Sequence, residues 1–324
     1  MQRNYSIDVL KFVCAVMVVF LHTSFRYQDY VRPLLRCAVP CFFMVSGYLL
    51  YNKDNIGKPR LKRNAVRVLK IILWSTLLFA VFKEFAELVL HKQLYVPSVN
   101  QLFDFIFFNE NPFAFHLWYL GAYLYVLIIV YFVDKFDKWK YLFALIPVLL
   151  LGDLLLGKYS LVTLGKEFPV VYVRNFLFVG LPYFAIGAWL KARESQLFSI
   201  NKYLLWGGVM VFTLTSFLER EILYELGKSS LREHYISTTF CSICLFLLFI
   251  SYSVKKTNFF SIIGEKDSLY IYVLHPLFSL YFFPFINEFM PIVYVKIYSY
   301  VAPILVLLCT MLLIQMLRLC KLIK

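Results

Sequence analysis

The sequence has few charged residues and no long polar segment, and this scarcity excludes most soluble folds. Only 16% of its 324 residues are Asp, Glu, Lys or Arg, whereas 61% are hydrophobic and the mean hydropathy is +0.71. A soluble domain of this size needs more polar side chains to cover its surface. The hydrophobic residues instead form runs about as long as a bilayer crossing, roughly 17–25 residues. The sequence therefore predicts an all-α, polytopic integral membrane protein.

Acidic residues are scarcer than basic ones, at 19 against 33, which gives a formal net charge of +14. The cations flank the apolar runs, so this charge does not indicate a nucleic-acid partner. They concentrate at the ends that are cytoplasmic if the N-terminus is cytoplasmic, as the positive-inside rule requires. We therefore predict that both termini are cytoplasmic and that the lipid bilayer is a partner.

Linkers, low-complexity tracts and internal repeats are also lacking, which predicts a single domain over residues 1–324. Short polar or turn-rich segments divide the chain into about ten predicted transmembrane spans. Their approximate limits are 7–24, 36–51, 68–90, 117–133, 139–156, 170–190, 203–218, 237–253, 268–285 and 298–317.

The seven cysteines do not form the pattern of a metal site. Cys241 and Cys244 have the spacing of a metal knuckle, but no second pair or histidine accompanies them. The sequence therefore predicts no bound metal, and most of these thiols lie within apolar runs.

The stretch KFVCAVMVVFLH, residues 11–22, carries a cation at one end and an imidazole at the other. Eleven residues of α-helix advance about 16 Å and return to within about 20° of the same direction, so Lys11 and His22 share a face. Asp8 lies one turn before Lys11 on nearly that face. Ionisable groups inside a span are costly and normally face a partner or a polar cavity. His22 is therefore either a structural hydrogen-bonding group or a functional imidazole. Lys11 either extends to the membrane surface or assists a functional His22.

Two further histidines favour a polar passage inside the predicted helix bundle. His116 stands at the outer entrance of the fourth predicted span, and His275 stands near the middle of the ninth, before Pro276. A proline frees a backbone carbonyl one turn earlier. His91 and His234 lie in predicted outer loops, and we assign them no role.

The basic segment 53–70 has two interpretations. It sets the topology and contacts anionic lipid headgroups, or part of it also binds the phosphates of a cytosolic ligand. Arg63 and Arg67 are one helical turn apart, so they can act together on phosphate oxygens.

The first span resembles that of the membrane acyltransferase family 3 proteins. RNYSIDVLKFVCAVMVVFLH contains the family's acidic residue, its Arg or Lys, ten residues and then its His, at Asp8, Lys11 and His22. Lys11 replaces the commoner Arg, which weakens the case for a bidentate phosphate contact.

Three later elements extend this resemblance over essentially the whole chain. VPCFFMVSGYLL is similar to the family's Pro-x-Phe-Phe-x-x-Ser-Gly-Phe/Tyr element, with Ser46 and Gly47 in place. HLWYLGAYL and LYIYVLHPL resemble its tryptophan and histidine–proline elements, at Trp118 and His275. The usual proline after the arginines of the basic segment is absent.

The resemblance implies a multi-pass O-acyltransferase of the bacterial cytoplasmic membrane. Such an enzyme transfers an acyl group, usually acetyl, from cytosolic acyl-CoA to a hydroxyl of a cell-envelope polysaccharide or glycolipid. Acetyl-CoA or another acyl-CoA is then the donor substrate, and no bound cofactor is expected. His22 would be a general base or a transient acyl carrier. The implied catalytic residues are His22, Lys11 and Asp8, the donor-binding residues are Arg63, Arg67, Ser46 and Gly47, and the secondary candidates are His275, His116 and Trp118.

A non-enzymatic transporter or flippase of a glycolipid or small envelope precursor is the alternative. It would also contain many spans and buried polar residues, although no inverted repeat is evident. The sequence does not indicate the acceptor, the acyl group or the oligomeric state.

Overall fold

The structure is a computed structural model that describes residues 4–52, 58–197, 200–227, 234–252 and 254–323. The chain is helical throughout, and no β-strand occurs within these ranges. The prediction of an all-α chain is therefore confirmed. The first part of the basic segment, residues 53–57, lies outside the described residues.

Sixteen α-helices lie within the described residues, joined by short connections. Turns of 3₁₀-helix occupy Phe115–Leu117 and Val170–Tyr172, and turns of π-helix occupy Phe176–Gly180 and Leu277–Phe282. The α-helices are α1 (Ser6–His22), α2 (Gln28–Leu35), α3 (Ala38–Leu50), α4 (Lys58–His91), α5 (Val99–Phe108), α6 (Trp118–Lys135), α7 (Trp139–Leu156), α8 (Ser160–Thr163), α9 (Leu181–Ala192), α10 (Glu194–Leu197), α11 (Lys202–Glu225), α12 (Ile236–Ser251), α13 (Phe259–Lys266), α14 (Ser268–Pro276), α15 (Phe283–Asn287) and α16 (Ile292–Leu319).

Each of the ten predicted spans coincides with helix, but six helical segments in the described residues are long and apolar enough to cross a membrane. The helix α1 has 17 residues and carries Asp8 and Lys11, and three further apolar helices are also shorter than 18 residues. The count of about ten spans and the orientation stay predictions. The six segments are Gln28–Leu50, Pro59–Val89, Phe115–Lys135, Trp139–Leu156, Ser268–Asn287 and Ile292–Leu319.

Some predicted boundaries differ from the observed ones for local reasons. His91 is the last residue of α4 and does not lie in a loop. The segment predicted over 170–190 becomes a continuous helix only at Phe176. The side chain of Asn175 accepts hydrogen bonds from the backbone N–H groups of Leu177 and Phe178, and it thereby caps the helix at that point.

The chain forms two compact units. The first unit contains Met1–Phe42, Ile200–Leu218 and Ser237–Lys324, and the second contains Phe43–Ser199 and Glu219–Ile236. In the first unit α1 packs against α13 and α14, and in the second α4 packs against α6 and α7 against α9.

Glycines bring helix backbones into direct contact in both units. A Cβ atom added at Gly264 of α13 would lie 1.7 Å from the carbonyl oxygen of Asp8 in α1. In the second unit, a Cβ at Gly47 would lie 1.9 Å from the carbonyl oxygen of Phe184, and one at Gly187 would lie 2.0 Å from that of Met44. Small residues permit this close packing, which supports association of helices in a membrane.

Replacing Gly264 with alanine tests the contact between α1 and α13. We expect Gly264→Ala to destabilise the protein by about 1–3 kcal/mol or more, because α13 must move away from Asp8 to admit the methyl group. Gly207→Ala is the matched control, since nothing lies within 4 Å of a Cβ there. Thermal unfolding in detergent should show a lower midpoint for Gly264→Ala alone. Equal midpoints would contradict the close contact.

Cysteine labelling tests the predicted orientation. In a Cys320→Ser background, which removes the exposed native thiol, a cysteine at the exposed Asn100 should react with an impermeant reagent outside the cell. A cysteine at the exposed Lys62 of the basic segment should react only after permeabilisation. External labelling at Lys62 would reverse the predicted topology.

Candidate functional site

Two of the predicted site histidines form a direct pair in the first unit. The Nδ1 atom of His22 lies 3.1 Å from the Nε2 atom of His275. The two rings are stacked, with centroids 5.3 Å apart and planes inclined by 9°. His22 ends α1, and His275 lies fully buried in α14, 253 residues later in the chain. The fold therefore joins the candidate base with one of the secondary candidates.

Hydrogen bonding determines which ring nitrogens of this pair carry a proton. The Nδ1 atom of His275 lies 3.0 Å from the carbonyl oxygen of Ile271, one turn earlier in α14. A carbonyl can only accept, so Nδ1 of His275 carries a proton. In the neutral ring, Nε2 of His275 is then an acceptor, and Nδ1 of His22 must donate to it. The unprotonated nitrogen of His22 is consequently Nε2.

Short local hydrogen bonds fix the end of α1 on which His22 stands. The Thr23 hydroxyl donates to the carbonyl of Val19 at 2.8 Å, and the Gln28 side-chain amide donates to the carbonyl of Leu21 at 2.8 Å. These groups satisfy carbonyls of the last turn, which have no partner within the helix. His22 is half-buried, so its ring is held in place without being fully enclosed.

Asp8 and Lys11 form an ion pair at the other end of the same helix. Nζ of Lys11 lies 2.8 Å from Oδ1 of Asp8, whose side chain is almost fully buried. Because α1 is continuous from Ser6 to His22, the face shared by Lys11 and His22 extends about 16 Å along its axis. Asp8 thus holds the lysine on the face that carries the imidazole.

The predicted donor-binding residues belong to the second unit. Ser46 of α3 is hydrogen-bonded to the Tyr123 side chain of α6, and Arg67 of α4 acts electrostatically on the same tyrosine, as does Arg60. Arg63 and Arg67 are both exposed on α4. Ser46 and Tyr123 therefore form a hydroxyl pair on which the charges of Arg67 and Arg60 act.

Gly47 has a packing contact of its own. The space beside its Cα is taken by the backbone of α9 at Phe184, so a neighbouring helix approaches this glycine closely. The next residue, Tyr48, donates a hydrogen bond to Glu194, which also pairs with Lys191 at 2.5 Å. These contacts fix the ends of α3 and α9 together.

The remaining secondary candidates also lie in the second unit. His116 is fully buried just before α6, and its ring meets the edge of Phe79 with centroids 4.8 Å apart. Trp118 begins α6 and is 7% exposed, and the Arg174 guanidinium lies 6.0 Å from its ring centroid. His116 therefore belongs to a different unit from the pair of His22 and His275.

Comparison with known proteins shows the family to which this chain belongs. The sequence profile of the acyltransferase 3 family, described as an acyltransferase domain, matches residues 4–317. The chain belongs to the acyltransferase 3 family. The resemblance inferred from the sequence elements is thus confirmed over nearly the whole chain.

Three curated relatives of this acyltransferase 3 chain carry racemase names. An amino-acid racemase of Enterococcus faecalis is 25% identical over 97% of this chain and 46% of its own length. A second one from Enterococcus faecalis is 23% identical over 78% of this chain and 37% of its own length. A serine/alanine racemase of Enterococcus gallinarum is 24% identical over 85% of this chain and 40% of its own length. This chain therefore spans less than half the length of these relatives. No solved structure matches it.

Metal binding has no support in the part of the acyltransferase 3 chain that the structure describes. No group of three or more His, Cys, Asp or Glu side chains there is arranged to hold a metal ion.

The sequence analysis missed a buried pair in the second unit. Nδ1 of His234 lies 2.8 Å from Oδ2 of Asp153, and these side chains are 3% and 2% exposed. The Tyr183 ring packs against the imidazole at 5.8 Å. His234 was assigned to a loop without a role, whereas it is almost completely enclosed. The lone aspartate in the apolar run LIPVLLLGDLLL was the available signal, because a carboxylate there requires a partner.

Removing either member of this pair should destabilise the fold. We expect Asp153→Leu or His234→Leu to cost about 3–5 kcal/mol, because each leaves the other polar group buried without its partner. The double variant should cost less than the sum of the two single changes. Thermal unfolding of the four proteins measures this coupling, and strictly additive costs would show that the two side chains do not depend on each other.

Proposed function

We propose that this chain is an integral-membrane O-acyltransferase that moves an acyl group, most commonly acetyl, from cytosolic acyl-CoA to a hydroxyl of a cell-envelope polysaccharide, glycolipid or related acceptor. Membership of the acyltransferase 3 family supports acyl transfer. The observation that carries the proposal is the pair of His22 and His275, because it leaves Nε2 of His22 with the lone pair that a general base needs.

The proposed reaction requires one base that later acts as an acid. Nε2 of His22 takes the proton of the acceptor hydroxyl while the hydroxyl oxygen attacks the thioester carbon. The carbon–sulfur bond then breaks, and the imidazolium returns the proton to the CoA thiolate. His275 acts as a positioning residue, since its Nε2 accepts from Nδ1 of His22 and stabilises the charge that develops on that ring. Alternatively, Nε2 attacks the thioester itself and carries the acyl group to the acceptor.

Basic side chains are proposed to bind the acyl-CoA donor. The phosphates of acyl-CoA are anionic, and Arg67 and Arg63 present two cations one helical turn apart on an exposed face of α4. Ser46 and Tyr123 add hydroxyl groups near Arg67. Lys11, held by Asp8, is a third cation, and it is proposed to act at the thioester end or the phosphates of the donor.

Variants of the two histidines test the proposed base. His22→Ala should reduce transfer by about 10²–10⁴-fold, the effect of losing a positioned acid–base group. His275→Leu should reduce kcat by at least about tenfold, whereas His275→Gln, which restores a hydrogen-bond acceptor, should retain more activity. Transfer of labelled acetyl from acetyl-CoA by purified protein in lipid measures these effects.

A positional control separates chemistry from folding. The double variant Phe20→His, His22→Phe preserves the composition but turns the imidazole about 200° around α1. It should accumulate in membranes and be inactive, while Lys11→Arg, which keeps the charge, should remain active. Near-normal transfer by His22→Ala or by the double variant would exclude His22 as the base.

Arginine variants test the donor site separately. Arg67→Ala should raise the apparent KM for acyl-CoA by about tenfold and change kcat less, because phosphate contacts bind the ground state and the transition state alike. Arg63→Ala should act in the same direction. Lys62→Ala is the control, since Lys62 is an exposed cation on the same helix. An unchanged KM in both arginine variants would show that the basic segment does not bind the donor and serves only to set the topology.

The alternative left open by the sequence is a second candidate function, in which this chain carries a small envelope precursor across the membrane without chemistry, and the relatives suggest amino acids as its cargo. Their names indicate action on amino acids, and this chain matches less than half of each. The two functions differ in their products. Membranes supplied with labelled acetyl-CoA should yield an acetylated acceptor if the chain is an acyltransferase, whereas vesicles containing a carrier should accumulate labelled serine or alanine without modifying it.

A further inference from the structure

An open groove in the second unit runs along the C-terminal half of α4, and neither proposed function uses it. Its volume is about 460 Å³. At about 30 Å³ for each group the size of a water molecule, this volume admits roughly fifteen such groups, which is the scale of one lipid acyl chain. The groove is lined by Ala80, Val81, Glu84, Phe85 and Leu88 of α4 and by Phe113 of the loop before α6.

The apolar wall of this groove belongs to a segment that is long enough to cross a membrane. Val81, Phe85 and Leu88 are 60%, 66% and 46% exposed. All three lie within residues Pro59–Val89, one of the six candidate spans. Exposed apolar side chains of a membrane-spanning helix contact lipid tails, which are as apolar as they are. An acyl chain is therefore the ordinary neighbour of this wall.

Glu84 is the exception in this apolar lining. Its Oε2 atom accepts a hydrogen bond from the backbone N–H of Tyr95 at 3.1 Å. Among the described residues its Oε1 atom makes no hydrogen bond and no ion pair. The adjacent cation, Lys83, instead lies over the Tyr95 ring, with Nζ 4.3 Å from the ring centroid. One carboxylate oxygen of Glu84 is thus fixed, and the other is available to a donor in the groove.

The opposite wall, formed by Phe113, is held in place by several contacts. The Tyr95 hydroxyl donates to the carbonyl of Pro112 at 3.0 Å, and the Tyr95 ring packs against that of Phe113 with centroids 5.8 Å apart. The backbone N–H of Phe113 donates to Oδ1 of Asn111 at 3.0 Å. Nδ2 of Asn111 donates to the hydroxyl of Thr76 in α4 at 2.6 Å. These bonds tie the loop to α4, so the groove has a fixed wall on each side.

The depth of Glu84 matches the level of lipid headgroups. Glu84 stands five residues before Val89, where the candidate span ends, and this distance is about 8 Å along the helix axis. The headgroup region on each side of a bilayer is about 5–8 Å thick. The carboxylate therefore lies near the boundary between headgroups and hydrocarbon. An ionisable group at that depth normally has a partner.

The charge of Glu84 selects among the common phospholipids. Phosphatidylethanolamine ends in a primary ammonium, which can donate a charge-assisted hydrogen bond to a carboxylate. The ammonium of phosphatidylcholine has no N–H group, and the headgroup of phosphatidylglycerol carries no cation. An anionic headgroup would also be repelled by Glu84. Phosphatidylethanolamine thus satisfies both the carboxylate and the apolar walls.

We propose that this groove binds one molecule of phosphatidylethanolamine, with its ammonium at Oε1 of Glu84 and one acyl chain between α4 and Phe113. The assignment does not rest on the proposed acyl transfer, since the groove shares no residue with the pair of His22 and His275 or with the arginines of α4. It gives the chain a specific lipid partner and adds no reaction.

Retention of radiolabelled dioleoyl phosphatidylethanolamine by the purified full chain in detergent tests this assignment. We expect saturable retention that approaches one lipid per chain. Unlabelled phosphatidylethanolamine should displace the label. The dioleoyl forms of phosphatidylcholine and phosphatidylglycerol have the same tails but cannot make the charge-assisted hydrogen bond, so each should compete at least about tenfold less well.

Two variants with matched controls separate the headgroup contact from the tail contact. Glu84→Gln keeps an acceptor for the N–H of Tyr95 but removes the charge, and it should weaken retention by about tenfold or more. Glu225→Gln, at the exposed end of α11, is its control. Val81→Trp fills the groove and should also weaken retention. Leu73→Trp is its control, because Leu73 is equally exposed on α4 but lies outside the groove. Both controls should retain the lipid as the unmodified protein does.

Three results would overturn the proposal. The first is an absence of saturable retention, and the second is equal competition by all three lipids, which would show ordinary solvation by lipid. The third is a dimer that Val81→Trp dissociates, which would assign the groove to a second copy of the chain. Unchanged retention in a folded Glu84→Gln protein would likewise remove the headgroup contact. Thermal unfolding shows whether each variant is folded. If Glu84→Gln does not fold, the ranking of the three lipids on the unmodified protein decides the matter.

Discussion

Four pairs of ionisable side chains hold together much of the interior that the structure describes. An isolated charge or imidazole there loses its hydration, and only a partner of suitable chemistry compensates for that loss. Asp8 has Lys11, His22 has His275, Asp153 has His234, and Asp267 has Arg318. Close backbone packing accompanies the first of these pairs, because Gly264 brings the backbone of α13 directly against that of Asp8.

The partners in these pairs differ in how far apart they lie in the chain, and this separation explains what the sequence predicted. Asp8 and Lys11 are three residues apart, so the helical repeat alone places them together. The same repeat correctly placed His22 on the face of Lys11. The helical segments were likewise predicted, since runs of apolar residues have a local signature. Family elements added Ser46, Gly47 and Trp118, although their roles stay predictions.

Sequence patterns could not predict the pairs whose members are far apart in the chain. His22 and His275 are 253 residues apart, and Asp153 and His234 are 81 apart. No periodicity relates positions on separate helices, so the partner of His22 became visible only in the fold. The burial of His234 was missed for a related reason. His234 does lie outside a helix, as predicted, but Asp153 of α7 and the Tyr183 ring of α9 pack against it.

The donor and acceptor roles in the histidine pair limit how far a proton can move through it. A proton reaching Nε2 of His22 can be shared as far as His275, but Nδ1 of His275 is occupied by the carbonyl of Ile271, which cannot take up a proton and pass it on. This hydrogen bond therefore does not pass a proton beyond His275. If His22 is the proposed base, it would therefore exchange protons with a substrate through Nε2, and its contact with His275 would not relay them onward through the carbonyl of Ile271.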